Sequence, residues 1–364
     1  MFEIDLTNYG QNMQHLLFFD VIIKEEVINK DAFLESIGIA PSSYRRARSI
    51  YQKVGNRIVN ILANHFEVVL PSKTQIKEIQ VLCNEICLAV YYKNSSNYNN
   101  YLKKIELANR KNTILTPILS LLKLFIYSYD TKNIDEIISE NIEEFNSIKK
   151  YKNYFSGGLE KIYELLELIY WPEISDKALS KTYDNGLNYS IIAIKFKREK
   201  KYFESLFFAR KAKDLFLLEN NYIRAIYINF TILNDYACIG LYDDYYKLAL
   251  EQYLTIKELN LDEKELRNGF KHRIVSLLST KKYTEIVNLL ENITELNSNE
   301  FCCLVIAKYK LSHEQTLLWI DKLEEKQKIF ALDVVDYLKQ KTKRREKIVR
   351  YQLMNCLLEI MKKL

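Results

Sequence analysis

Ser42, Ser43, Arg45, Arg46, Arg48, Lys53 and Arg57 are the densest set of side chains in this chain that could do chemistry on an anion. Between Ser36 and Phe66 there are five cations and no Asp or Glu. Guanidinium groups bond bidentately to phosphate oxygens or to a guanine edge, and short hydroxyls at a helix start approach phosphates closely. The ligand this pattern suits is double-stranded DNA. The competing explanation is a solvated cationic face on an ordinary helical hairpin.

Such a surface needs a support that fixes its direction, and "KDAFLESIGIAPSSYRRARS" reads as a helix-turn-helix. Phe33 and Ile37 would form the buried stripe of the first helix, Gly38 the positive-φ turn, and Ile39 the plug beneath it. Pro41 and Ser42 suit the start of the second helix, with Tyr44 and Ala47 inward. Ser42, Ser43, Arg45, Arg46 and Arg48 are then outward, and with Tyr44, Lys53 and Arg57 they make the expected DNA-binding set. Residues 1–70 carry seven basic and eight acidic residues, so the segment is polarised and not uniformly basic. A second cationic run, "KQKTKRREKIVR" at 339–350, reads as the start of a C-terminal capping or dimerising helix.

Nothing else in the chain reads as reactive. His15, His65, His272 and His313 are scattered and belong to no metal or nucleophile motif. Cys83 and Cys87 lie one helical turn apart and could clamp a metal, but without a further ligand nearby they read as two buried thiols on one face. Cys302 and Cys303 point in different directions on a helix. Asp243-Asp244 and Glu143-Glu144 are ordinary solvated carboxylates. No enzyme, metal or cofactor is expected.

The elements around these residues should all be helical. Of 364 residues 48% are hydrophobic and 27% charged, which excludes a largely disordered chain. Only eight Gly and four Pro leave little material for hairpins or phosphate-cradling glycine loops. The net charge of +6 is modest for this length and decides nothing about partners. Six cysteines in so long a chain are no disulfide framework. The start, "MFEIDLTNYG", has acids where a secretory signal has bases, and the longest apolar run is broken by Pro117 and Lys123. A cytoplasmic protein with no membrane segment is the expectation.

A domain boundary is expected near Pro71, where Ser72 or Thr74 can cap a new helix, giving domains at 1–70 and 71–364. In the second, Tyr202, Tyr242 and Tyr283 recur 40 and 41 residues apart, each followed by apolar residues at +4 and +7: Leu206 and Ala209, Tyr246 and Ala249, Val287 and Leu290. Each unit follows a short polar turn and another amphipathic helix. That is the pattern of stacked helical hairpins, a tetratricopeptide-like right-handed α-solenoid. The alternative is an irregular α-fold whose helices are merely amphipathic.

An N-terminal helix-turn-helix around "IGIAPSSYRRAR", followed by about three hundred residues of tetratricopeptide-like helices, resembles the RRNPP group of peptide-pheromone receptors. That group includes Rgg-like and PlcR-like regulators and phage arbitrium receptors. The resemblance implies a homodimeric transcription regulator, of quorum-sensing or lysis–lysogeny type, whose repeat groove binds a short signalling peptide and so changes DNA binding. It also implies that asparagines and arginines of inner repeat helices hold the peptide. Asn229, which interrupts the apolar stripe of Tyr222, Ile226 and Leu233, is then the first candidate, with Asn188, Arg224, Asn234 and Asn268 beside it. For each, a capping or solvent-facing role is the other reading. A repeat scaffold that sequesters a protein partner without DNA, as Rap-like proteins do, is the alternative function.

Overall fold

The scarcity of Gly and Pro leaves few interruptions to helix, and helix is what forms. A computed structural model describes residues 3–49, 54–129, 134–171, 185–293 and 295–341. Among the described residues there are eighteen α-helices and no β-strand, so the chain is all-α as expected. Contacts divide it into two compact units, Met1–Ile228 and Asn229–Leu364.

The first unit holds α1 (Asn12–Glu26), α2 (Lys30–Ser36), α3 (Pro41–Ser49), α4 (Asn56–His65), α5 (Lys73–Tyr91), α6 (Tyr98–Ala108), α7 (Thr116–Tyr129), α8 (Ile134–Lys149), α9 (Gly158–Tyr170), α10 (Gly186–Arg198), α11 (Tyr202–Leu218) and the start of α12 (Tyr222–Ile239). Ser72 caps α5 with a capping box: its hydroxyl accepts from Gln75 N–H at 3.2 Å while the Gln75 side chain accepts from Ser72 N–H at 2.8 Å.

The N-terminal segment before α1 is bonded to helices beyond Pro71. Ile4 and Leu6 donate backbone N–H groups to Asn84 (3.3 Å) and Gln80 (3.2 Å) of α5. The buried Tyr9 hydroxyl donates to the Tyr154 carbonyl at 2.9 Å and accepts from Ser156 N–H at 3.2 Å. Gly158 is required at the start of α9, because a Cβ there would sit 2.3 Å from the Glu3 carbonyl oxygen. These bonds join residues 4–9 to residues 80–156 within the first unit, whose contact boundary falls between Ile228 and Asn229.

The second unit holds the rest of α12 with α13 (Tyr242–Glu258), α14 (Glu263–Ser279), α15 (Tyr283–Leu290), α16 (Ser298–Leu311), α17 (His313–Ile320) and α18 (Glu325–Lys341). Ile274, Leu277, Ile286, Leu290, Cys303 and Ala307 knit α14, α15 and α16. Phe301, Val305, Ile320, Ala331 and Val335 continue the core through α16, α17 and α18. The expected C-terminal helix lies outside the described residues beyond Lys341.

One turn geometry recurs along the middle of the chain. Lys200 (φ 61°), Asn220 (56°), Gly240 (83°), Asn260 (50°) and Lys281 (60°) all adopt the left-handed conformation. After each, the next N–H reaches back to a carbonyl of the preceding helix: Lys201 to Phe196 (2.9 Å), Asn221 to Phe216 (2.7 Å), Leu241 to Tyr236 (2.9 Å), Leu261 to Ile256 (3.3 Å) and Lys282 to Leu277 (2.9 Å). This is the Schellman closure, which satisfies carbonyls that a helix end leaves without partners. These turns fall every 20 or 21 residues, half the spacing of the Tyr units. Tyr202, Tyr222, Tyr242 and Tyr283 each begin the next helix.

The inward positions of these units differ in part from expectation. Ala209, Ala249 and Leu290 at +7 are fully buried. At the other inward position the buried residue sits at +3, as Ser205, Tyr245 and Ile286, and of the +4 residues only Leu206 is buried while Tyr246 and Val287 are half-buried. The 3.6-residue pitch explains the shift: +3 and +7 are one turn apart on the side facing the paired helix. Among the described residues no helix is long and apolar enough to cross a membrane.

Candidate nucleic-acid interface

The cationic segment is built on α2, a turn and α3, backed by α1 and α4. Asn29 caps α2 by accepting from Ala32 N–H at 3.2 Å. Gly38 turns the chain at φ 79°, and Ile39 N–H returns to the Leu34 carbonyl at 2.8 Å, which brings the buried Ile39 side chain beneath the turn. Pro41 opens α3, and Tyr44 and Ala47 face inward as expected. The innermost residue of α2 is not Phe33 or Ile37 but Leu34, which is completely buried. Phe33 and Ile37 are half-buried, with the Phe33 ring edge-on to His65 at 5.0 Å and 5.7 Å from Phe66. A seven-residue helix has one side against the core, and the Gly38 turn rotates Leu34 onto it.

Ser42, Ser43, Arg45, Arg46 and Arg48 are all exposed on α3, and Arg57 is exposed on α4. Lys53 lies outside the described residues. Tyr44, expected among the contacting residues, is fully buried and donates its hydroxyl to Asp20 of α1, so it positions α3 and is not presented to a ligand.

The acid-free run in the sequence is not acid-free in space. Asp31 of α2 lies 2.6 Å from the Arg45 guanidinium. Asp20, mostly buried, lies 3.3 Å from Arg48 Nε and 3.6 Å from Lys30 Nζ. The Lys30 ammonium also sits 4.5 Å from the centre of the Tyr44 ring. Burial lowers the Lys30 pKa from its ordinary value, with Asp20 acting in the opposite sense. Arg46 and Arg57 have no carboxylate partner among the described residues. A diffusing anion therefore meets two uncompensated guanidinium groups and two that are already paired, Arg45 in an exposed pair with Asp31, which is weak and exchangeable, and Arg48 with the mostly buried Asp20.

Two residues missed in the sequence thus shape the surface. Asp20 had a local signal, as the one acid within the apolar stretch of α1 from Leu16 to Ile23. Asp31 had none, because an ion pair across a turn depends on the packed geometry.

The expected peptide-binding residues fall in both units, Asn188 and Arg224 in the first and Asn229, Asn234 and Asn268 in the second. Asn188 is buried on α10. Arg224 is engaged within the protein: its Nε donates to the Tyr91 carbonyl at 3.2 Å and its Nη2 to the Val90 carbonyl, while the guanidinium lies 5.0 Å from the Tyr129 ring centre. Asn221 adds a bond to the same Tyr91 carbonyl at 2.7 Å. Together they close the C-terminus of α5, where carbonyls without intrahelical partners attract positive charge.

Asn229 does point inward, as its place in the stripe required. Its Nδ2 donates to Gln252 Oε1 of α13 at 2.8 Å, and its buried Oδ1 has no donor among the described residues. Tyr222, counted in that stripe, is exposed. Asn234 and Asn268 are half-buried. On α14, His272 accepts or donates a bond with the Tyr245 hydroxyl at 3.1 Å and stacks on Phe230 at 5.4 Å.

Burial pushes the Cys83 thiol pKa well up and that of Cys87 to about 12, so neither is poised as a thiolate. Among the described residues no group of three or more His, Cys, Asp or Glu side chains could hold a metal ion. The chain matches no family model, no curated protein and no solved structure.

Proposed function

We propose that this chain is a DNA-binding transcription regulator that responds to a short peptide. In this reading α2, the Gly38 turn and α3 are a helix-turn-helix and α3 is its recognition helix. The helix pairs joined by left-handed turns are tetratricopeptide-like repeats of a right-handed solenoid, and the peptide binds among them. The protein works in the cytoplasm as a homodimer, by binding and not by catalysis.

The observation that carries the reading is the orientation of α3. Tyr44 and Ala47 are buried while Ser42, Ser43, Arg45, Arg46 and Arg48 all face out from one nine-residue helix. Hydroxyls at its first turn suit phosphate contact, and the arginines beyond suit base edges or further phosphates. For the peptide, support comes from Asn229, whose carbonyl oxygen has no donor among the described residues and can accept from an extended backbone.

Selection from a duplex library by the full chain, with and without candidate peptides, tests this. Enrichment of a common sequence, lost in an Arg45→Ala/Arg46→Ala variant that remains folded, is the expected result. No enrichment would favour a second reading, a repeat scaffold that holds a protein partner. The bonds of Ile4, Leu6 and Tyr9 to residues 80–156 favour it, because they make the N-terminal helices resemble a cap on the helices beyond Pro71.

A further inference from the structure

Helix α11 buries one side through Ser205, Ala209, Ala212 and Phe216. Its other side is unusually apolar for a face turned to solvent: Phe203 is 70% exposed, Phe207 54% and Leu218 79%. Between them lie the exposed Lys211 and Asp214. Large apolar side chains left in water at this density mark an interaction surface more often than chance.

The order of these residues says what the surface fits. Phe203, Phe207, Lys211, Asp214 and Leu218 follow one another at intervals of 4, 4, 3 and 4 residues, which keeps them within an arc of about 80° at 100° per residue. The stripe reads the same in both directions about a point between Ala212 and Lys213. Laid antiparallel on a second α11, Phe207 meets Leu218, and Lys211 meets Asp214, twice each by symmetry. An isologous two-fold contact requires a patch complementary to itself, and a cation and an anion equidistant from the axis supply that complementarity. Asp214 has no ion-pair partner among the described residues of its own chain. The Lys211 ammonium lies 4.9 Å from the Phe207 ring centre and 5.2 Å from that of Tyr189, which holds the charge over the apolar part of the stripe.

We infer that the exposed face of α11 is a self-association surface, whose partner is the same face of a second copy of this chain in antiparallel two-fold contact. The inference rests on α11 alone. It supplies a surface for the homodimer of the proposed function, and its failure leaves duplex binding by α3 untouched.

Sedimentation of the full chain across a range of concentrations reads the outcome. Wild type should dimerise. Phe207→Glu, Lys211→Glu and Asp214→Lys, each checked for unchanged helicity and melting, should each weaken dimerisation about tenfold or more, the first because it buries a carboxylate against Leu218 and the other two because like charges then face each other across the axis. Mixing Lys211→Glu with Asp214→Lys should restore association in a mixed dimer, because both cross-axis pairs are again of opposite sign. A wild type that stays monomeric, a dimer indifferent to these substitutions, or single-variant losses that mixing does not repair would overturn the inference. So would binding of this face to anionic vesicles by a chain that remains monomeric.

Discussion

At the scale of single residues, the described surface of α3 is set in part by a group that is mostly buried beneath it. Asp20 takes the Tyr44 hydroxyl from α3 and faces Lys30 and Arg48, so one mostly buried carboxylate fixes the roll of the helix and part of its charge. His15 plays a comparable role for the N-terminal segment. It is buried, its Nε2 bonds the Tyr9 carbonyl at 3.0 Å, and its Nδ1 has no partner among the described residues. The carbonyl can only accept, so Nε2 carries a proton and donates it. Burial lowers its pKa from the ordinary value near 6.5. A histidine depressed in this way binds fewer protons folded than unfolded, so its stabilisation is present above the unfolded pKa and is lost as pH falls below it. Urea midpoints should therefore fall below about pH 6.5. His15→Gln, which can still donate to Tyr9, should flatten that dependence.

At the scale of elements, helix ends carry the architecture. The C-terminus of α5 is closed by Arg224 and Asn221, roughly 130 residues away in sequence. Arg224→Met keeps most of the apolar stem but removes the donors to Val90 and Tyr91, and should cost about 2 kcal/mol in urea unfolding. An unchanged midpoint would remove Arg224 from this role and return it to the set of possible ligand contacts. The left-handed turns give a test of opposite sign. Lys281 adopts φ 60° with an exposed side chain, a conformation that glycine reaches without steric penalty. Lys281→Gly should raise stability by about 0.5 kcal/mol, read as a small upward shift in melting temperature. A loss would mean that the turn is held by its side chain and not by its backbone.

The same turns show what was legible beforehand. Gly38, Ile39, Tyr44 and Ala47 could be placed from sequence because turn chemistry and helical spacing are local rules. The 40-residue spacing was visible through Tyr202, Tyr242 and Tyr283, but the 20-residue turn beneath it was not. Four of those five turns use Lys or Asn where glycine is the usual sign. The roles of Asp20, Asp31 and Arg224 were hidden for another reason: each depends on a partner that only packing brings near.

At the scale of the whole molecule, the charged α3 belongs to a compact unit running to Ile228, and the second unit carries the Asn229–Gln252 pair. Pairing through α11 would place two copies of α3 on one particle, which matches the two half-sites of a palindromic operator.

The central claim is that α3 reads duplex DNA, and its most direct measurement is affinity for a selected duplex as a function of salt. The account predicts that log affinity falls linearly with log salt. Arg46→Ala, which removes a guanidinium with no carboxylate partner among the described residues, should weaken binding and reduce the slope by about one, with melting unchanged. Equal affinity and an equal slope for wild type and Arg46→Ala would contradict it.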